Sequence, residues 1–311
     1  MFSILPYFKV LIKITGCSHL NKEMIKLGDP TQYINIYMAK VLESETSMGH
    51  LLKLDDNVIY IAEDCYVQTS ISDIVWVSSK QLIRLNINDT TYPAEKLFNL
   101  MIWQLAWNPL YDLYIHSSKS ILSSPFPILL VVPNLDIGLI YAYPYLLRDI
   151  PVCLLQCNSE SSNISQNEIE TSFRELMKIF IFSNTKSTLF QLSEFTQYLG
   201  FTNVIVVPNM DNQPYLVSIA LASVSVHGYI AFGSKVEHFN NLECSIMYQK
   251  QCIVAFFSQM HDPQVWVEGY IKTCKDKQNL NILELKQVNQ NLENSHIIKK
   301  KNAIASIIVE I

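Results

Sequence analysis

The sequence predicts an α/β protein, with a β-rich body at the start of the chain and a parallel sheet covered by helices behind it. The stretch Pro127–Cys157, PILLVVPNLDIGLIYAYPYLLRDIPVCLLQC, supplies the first reason. Ile128–Val132 is an apolar, β-branched run, the pattern of a strand buried on both faces. Gly138–Arg148 has helical length and content, and Val152–Leu155 is the next strand. The second reason is that strands and helices go on alternating as far as Phe257, which implies a parallel sheet covered on both faces. The third is the run of short alternating segments and tight turns in the first 90 residues, which reads as a small barrel-like body.

Taken in order, Lys9–Thr15 alternates as a half-buried strand does. CSHLNKEMIKLGDP reads as a turn and a short helix ended by Gly28-Asp29-Pro30. Ile34–Glu43 suits a strand or a helix. Val58–Ala62, Cys65–Thr69, Ile74–Val77 and Gln81–Leu85 are short strands. Pro93 opens a helix to Trp107, capped near Thr90 or Thr91, that buries Leu97, Leu100, Met101 and Leu105. Pro109 kinks or ends it, and Tyr111–Leu122 is a second helix. Past a Ser/Asn-rich loop come helices over Glu168–Phe182 and Leu189–Gly200, then strand Val204–Val207 and helix Pro214–Val226. Strands Gly228–Phe232 and Cys252–Phe257, helix Pro263–Lys275 and strands Leu280–Leu285 and Ala305–Val309 close the chain. Lys299–Lys301 reads as a solvated turn before the last strand. Trp76, Trp103, Trp107 and Trp266 read as packing residues.

The 311 residues suffice for two domains sharing an interface, and 49% apolar with 16% charged is a globular composition. A net charge of −5 argues against a nucleic-acid surface. No apolar run approaches the roughly 20 residues of a membrane span, and the start lacks the charged n-region and cleavage site of a signal peptide. Seven cysteines without a CxxC pair read as reduced, mostly buried residues, so the expected location is cytoplasmic. No Cys/His cluster has zinc-ligand spacing, and no metal is expected.

The strand–helix–strand unit at Pro127–Cys157 is the mononucleotide-binding half of a Rossmann fold. Such a unit carries glycines in its first turn, which let backbone approach a pyrophosphate at the helix N-terminus. Here the turn reads Pro133, Asn134, Leu135, Asp136, Ile137, Gly138, Leu139. Asp136 reads as the cap of a helix beginning near Ile137, and Asn134 as a turn residue; one carboxylate is not a metal site.

Several segments together resemble the medium-chain dehydrogenase/reductase superfamily, and most closely the zinc-independent enoyl reductase domains of animal fatty acid synthases and polyketide synthases. VLIKITGCSHLNKEMIKLG resembles the family's first strand and its Asn-Phe-Arg-Asp-like segment. LLKLDDNVIYIAEDCYVQTSISDIVWV resembles the strand and hairpin that follow, and TYPAEKLFNLMIWQLAW the helix after them. VSVHGYIAFGS and LECSIMYQKQCIVAFF are similar to the last Rossmann segments, and AIASIIVEI to the terminal strand.

The resemblance implies a GroES-like β-body made of residues 1–122 and 259–311 around a Rossmann domain at 123–258. It implies NADPH as cofactor, with Asn134, Asp136, Gly138, Gly233 and Ser234 at family-equivalent cofactor positions. His19 and Lys22 fall near the substrate cleft, where either is a candidate general acid or part of an exposed polar turn. The departures fall on the chemistry. A gapless alignment sets Asn134–Leu139 on the family's Gly-Ser-Gly-Gly-Val-Gly. Asp136 would repel a pyrophosphate by on the order of 4 kcal/mol at about 4 Å and an effective dielectric near 20. No cation follows the second Rossmann strand before Arg174, the family's threonine is Ala106, and its terminal lysine is Ser306.

The expected function is therefore an enoyl-reductase-like domain degenerate in NADPH binding, a structural pseudo-enzyme. Its expected partners are other domains of a synthase or an acyl carrier, or a second copy in a homodimer. An active NADPH-dependent enoyl or quinone-type reductase, and a stand-alone protein that binds an apolar ligand, are the alternatives.

Overall fold

The computed structural model of the protein describes residues 8–20, 36–44, 52–62, 70–84, 94–95, 97–104, 106, 128–157, 169, 171–207, 214–233, 239–256, 286–287, 297–301 and 305–310. The strands expected at Cys65–Thr69 and Leu280–Leu285, and the helices at Tyr111–Leu122 and Pro263–Lys275, lie outside these residues.

Two sheets organise the chain. The first is antiparallel and is built from β1 (Lys9–Leu20), β2 (Ile36–Ser44), β3 (Asn57–Ile61), β4 (Ile74–Ser78), β5 (Leu82–Arg84), β12 (Lys286–Gln287), β13 (Ile297–Lys301) and β14 (Ala305–Glu310). Its order is β12-β13-β14-β1-β2-β3-β5, with β4 pairing β1 off that path. β1 changes partner on one side: Lys9–Lys13 pair with β4, and Gly16–Leu20 pair with β14. Alternating Val10, Ile12 and Ile14 point into a core shared with Tyr37, Val58 and Leu82.

Cys17–Leu20 was expected in a turn and helix but continues β1. The polar sequence there carries no strand signal; pairing with β14 and β2 decides its conformation. Lys299–Lys301 is likewise strand β13 rather than a turn, because β14 on one side and β12 on the other take up its backbone groups. Trp76 is not core: it alternates outward on β4 and is 49% exposed, whereas Trp103 is fully buried.

The second sheet is parallel. It contains β6 (Ile128–Val132), β7 (Val152–Gln156), β8 (Met177–Ile181), β9 (Phe201–Val206), β10 (Val224–Phe232) and β11 (Ile253–Phe256), in the order β11-β10-β9-β6-β7-β8. In chain order this is the doubly wound 3-2-1-4-5-6 arrangement, with the reversal between β6 and β9. β6 and β7 are buried at every position, as their unbroken apolar runs require.

Helix α1 (97–104, with 94, 95 and 106 also helical) buries Leu97, Leu100 and Met101. α2 (Leu135–Leu146) is buried all round, the signature of a helix enclosed on every side. Both helices, the parallel sheet, and Ala305, Ile307 and Val309 of β14 form one continuous apolar core.

The helix expected at Glu168–Phe182 is a short helix, α3 (Thr171–Glu175), followed by edge strand β8. Glu, Leu, Met and Lys favour helix locally, but register with β7 from Val152 to Gln156 wins. α4 (Thr185–Phe195) starts earlier than expected and ends before Gly200. α5 (Pro214–Ser223) gives way to β10 at Val224, and α6 (Asn241–Lys250) is held by an unforeseen capping box between Asn240 and Glu243.

Candidate functional site

In open α/β sheets the ligand crevice lies outside the carboxyl ends of the strands, at the reversal of strand order. Here that point is the end of β6, and two residues, Pro133 and Asn134, separate the strand from α2. Asn134 is the N-cap of the helix. Its backbone is extended (φ −149°, ψ 174°), and its side-chain oxygen accepts the Ile137 N–H at 3.0 Å. The cap is thus Asn134, not Asp136, and the helix begins at Leu135 rather than near Ile137. An Asn just after a strand and before an apolar helix carries that signal in sequence.

Asn134, Leu135 and Asp136 are 1, 4 and 1% exposed. Asp136 lies in the first turn, where the helix dipole favours a carboxylate. Gly138 packs against the sheet: a Cβ there would come to 3.1 Å from Leu154 and 3.3 Å from Val132. That is the role of the third glycine in a dinucleotide turn. Counting back from it sets Pro133 and Leu135 at the other two glycine positions, one residue earlier than the gapless alignment.

A dinucleotide does not fit this turn. A phosphate-binding turn leaves a cradle that a Cβ would fill. Here Asn134, Leu135 and Asp136 bring buried side chains to the turn in place of glycines, and the Ile137 amide at the helix start is already bonded to Asn134.

The neighbouring strand ends are closely knit. Val207 N–H donates to Val131 at 3.1 Å, Gly233 N–H to Val206 at 2.8 Å and Cys157 N–H to Val132 at 2.9 Å. Gly233 is buried directly after β10. Beyond β8, Phe182 stacks on Tyr215 at the start of α5, with ring centroids 5.0 Å apart. No sequence signal pointed to that pair.

Arg174, the first cation after β7, does not face the turn. Its guanidinium donates to the Ile169 carbonyl at 2.8 Å and lines a cleft of about 260 Å³ with Lys178, beside the start of β8. Ala106 is buried in the core.

The other candidates are placed in part. Lys22 and Ser234 lie outside the described residues. His19 is a half-buried strand residue, not a turn residue, and it stands opposite Ser306 in the β1–β14 ladder. Two positions singled out for different reasons are therefore neighbours. Burial pushes the His19 imidazole below its usual pKa, and the Lys299 ammonium pushes it the same way.

Burial raises four thiols: Cys17 to about 11, Cys157 to about 12, and Cys153 and Cys252 upward as well. The five described cysteines are free thiols: Cys17 and Cys153 are buried, Cys157 and Cys252 half-buried, and Cys244 exposed. Among the described residues no three His, Cys, Asp or Glu side chains gather as metal ligands, and no helix is long and apolar enough to cross a membrane.

No family model and no curated protein matches the sequence. Solved structures do match the fold. D-arabinose dehydrogenase from Sulfolobus solfataricus is similar at a TM-score of 0.57 and 14% identity, over 88% of each chain. The CurK enoyl reductase is similar at 0.56 and 14% identity, over 89% of this chain and 82% of that one. A mycobacterial protein complexed with NADPH is similar at 0.53 and 12% identity, over 87% of this chain and 81% of that one. The architecture is that of the medium-chain dehydrogenases and reductases: a GroES-like antiparallel body and a Rossmann sheet.

Proposed function

We infer that this chain is a reductase-fold protein of the enoyl reductase type that has given up dinucleotide binding and serves a structural role. The observation that carries the reading is the Asn134 side chain bonded to the Ile137 N–H, in a turn that carries buried Leu135 and Asp136 in place of glycines. Backbone amides at the start of a helix hold a phosphate only when they are free and approachable. The likeness to an enoyl reductase supports the reaction type of the ancestral scaffold. On this reading the partners are other domains of a synthase or an acyl carrier, with a homodimer as the simplest assembly, and no reaction is routed through NADPH.

The test is calorimetric titration of the full chain with NADPH at about 0.15 M salt, where the Debye length is about 8 Å. The expected result is no saturable binding below about 50 μM, an affinity near 6 kcal/mol. Saturation in that range, weakened by changes in the 133–138 turn, overturns the reading and restores the active reductase.

A further inference from the structure

We propose that the row His19, Ser306, Lys301 and Lys286, joined by Lys299, is a binding site for a di- or polyphosphate group on the antiparallel sheet. The four residues stand directly opposite one another across four strands: His19 faces Ser306, Ser306 faces Lys301, and Lys301 faces Lys286. Directly opposed residues on antiparallel strands share one face of the sheet. With strands about 4.8 Å apart, the row spans about 14 Å, long enough for two or three linked phosphates.

Lys299 shares this face one row away, since it opposes Ile308 and alternates with Lys301. Lys300 points to the opposite face, where it pairs with Glu95. The nearest described carboxylate along β14 on the ligand side is Glu310, four residues from Ser306 and already paired with Lys13.

Three observations set this row apart from an ordinary solvated face. First, Lys286 and Lys301 are exposed like charges placed opposite each other, an arrangement that destabilises a sheet unless an anion lies between them. Lysines on an edge strand also discourage edge pairing. That account covers Lys286 but not the inner members of the row. Second, the Ser306 hydroxyl is buried in the middle of the row and has no hydrogen-bond partner among the described residues. A buried hydroxyl without a partner is costly, and a phosphate oxygen would satisfy it. Third, the row is basic on a chain whose net charge is −5. Ammonium groups and a hydroxyl are the donors that phosphate oxygens accept from.

This site is separate from the turn at Asn134 and does not depend on how that turn is read. The probe is pyrophosphate, followed by tripolyphosphate, titrated into the full chain with the ring signals of labelled His19 recorded by NMR. Saturable binding tighter than about 1 mM at low salt is expected, together with an upward move of the His19 titration as the anion offsets Lys299. Lys286→Gln with Lys301→Gln should weaken binding at least about tenfold and flatten its salt dependence. Ser306→Ala should weaken it about threefold or more, the loss of one hydrogen bond, with an unchanged circular dichroism spectrum. Asn134→Gly should leave it as it was.

Citrate, which is equally charged but lacks tetrahedral oxyanions, should bind at least about fivefold more weakly, a difference near 1 kcal/mol. Failure to saturate by about 10 mM, indifference to the double lysine substitution, or equal affinity for citrate would overturn the proposal. The same variants sort any NADPH binding: loss in Lys286→Gln with Lys301→Gln places it on this row, and loss on changing the Asn134 turn places it at α2.

Discussion

Lys300 of β13 reaches the carboxylate of Glu95 at the start of the first helix, linking two residues 205 positions apart. Their side chains are only 20 and 15% exposed. The Lys13–Glu310 pair, at 32 and 26%, sits in more solvent. Removing one partner of an enclosed pair strands the other, whereas exposed pairs contribute little. Lys300→Ala is therefore expected to lower stability by about 2 kcal/mol, and Lys13→Ala by less than about 1 kcal/mol. Urea unfolding midpoints compare the two, and equal shifts would refute the ordering.

The cap at α2 gives a second prediction. Asn134→Ala removes the acceptor for a buried amide and should cost about 1 to 2 kcal/mol, while Asn134→Ser, which keeps a capping oxygen, should cost only a few tenths. A cap that mattered for an anion rather than for the helix would show little change in either variant.

His19 titrates below the ordinary histidine range, from burial first and Lys299 second. A depressed folded pKa means that stability is present above the unfolded value of about 6.5 and is lost as pH falls through the folded value. His19→Gln should reduce the acid sensitivity of the midpoint below about pH 6.5. Lys299→Gln should raise the His19 pKa, read directly by NMR; no movement would remove Lys299 as a cause.

Thiol mapping gives the fourth. Cys244 is exposed, while Cys17 and Cys153 are buried. Alkylation of native protein at neutral pH should modify Cys244 quickly and spare Cys17 and Cys153, as peptide mass spectrometry can show. Because burial raises the Cys17 and Cys157 values to about 11 and about 12, the unfolded chain ionises first as pH rises. Stability should therefore fall as pH climbs from about 9 towards those values. Rapid labelling of Cys17 would contradict its burial.

Gly200 gives the fifth. Its φ is +77°, and a Cβ would lie 2.8 Å from the Ser225 nitrogen and 2.9 Å from the Ser223 oxygen. Gly200→Ala meets backbone that cannot yield and should cost well over about 1 kcal/mol. At Gly138 the contacts are methyl groups of Leu154 and Val132 rather than backbone, and the gain in helix propensity of about 1 kcal/mol offsets part of the crowding. A similar loss at both positions would count against this distinction.

What could be read in the sequence follows from where burial is complete. β6 and β7 are enclosed on both faces, so their apolar runs mark them unambiguously. β8 is an edge strand with half-exposed residues, and its composition spoke for helix until pairing with β7 overrode it. Of the candidate site, the loss of turn glycines was visible residue by residue. The identity of the cap was not, because Asn134 and Asp136 are both good capping residues and only the start of α2 decides between them. The row through His19 and Ser306 joins positions nearly three hundred residues apart through strand register. That register depends on pairings among β12, β13, β14 and β1, which periodicity does not contain.

The pairing of β1 with β14 sets a timetable for biosynthesis. The Lys13–Glu310 ion pair closes a separation of 297 residues. At about 5 to 20 residues per second, β1 leaves the ribosome roughly 15 to 60 s before its partner exists. The strands from Ile128 to Phe256 are consecutive, so the parallel sheet can form in that interval. The first strand meanwhile has an open flank from Gly16 to Leu20, where β14 will later bind. An unpaired flank of this kind invites pairing with other chains. Slowing translation after Phe256 should therefore increase aggregation of nascent chains, whereas the same pause placed before β1 should not.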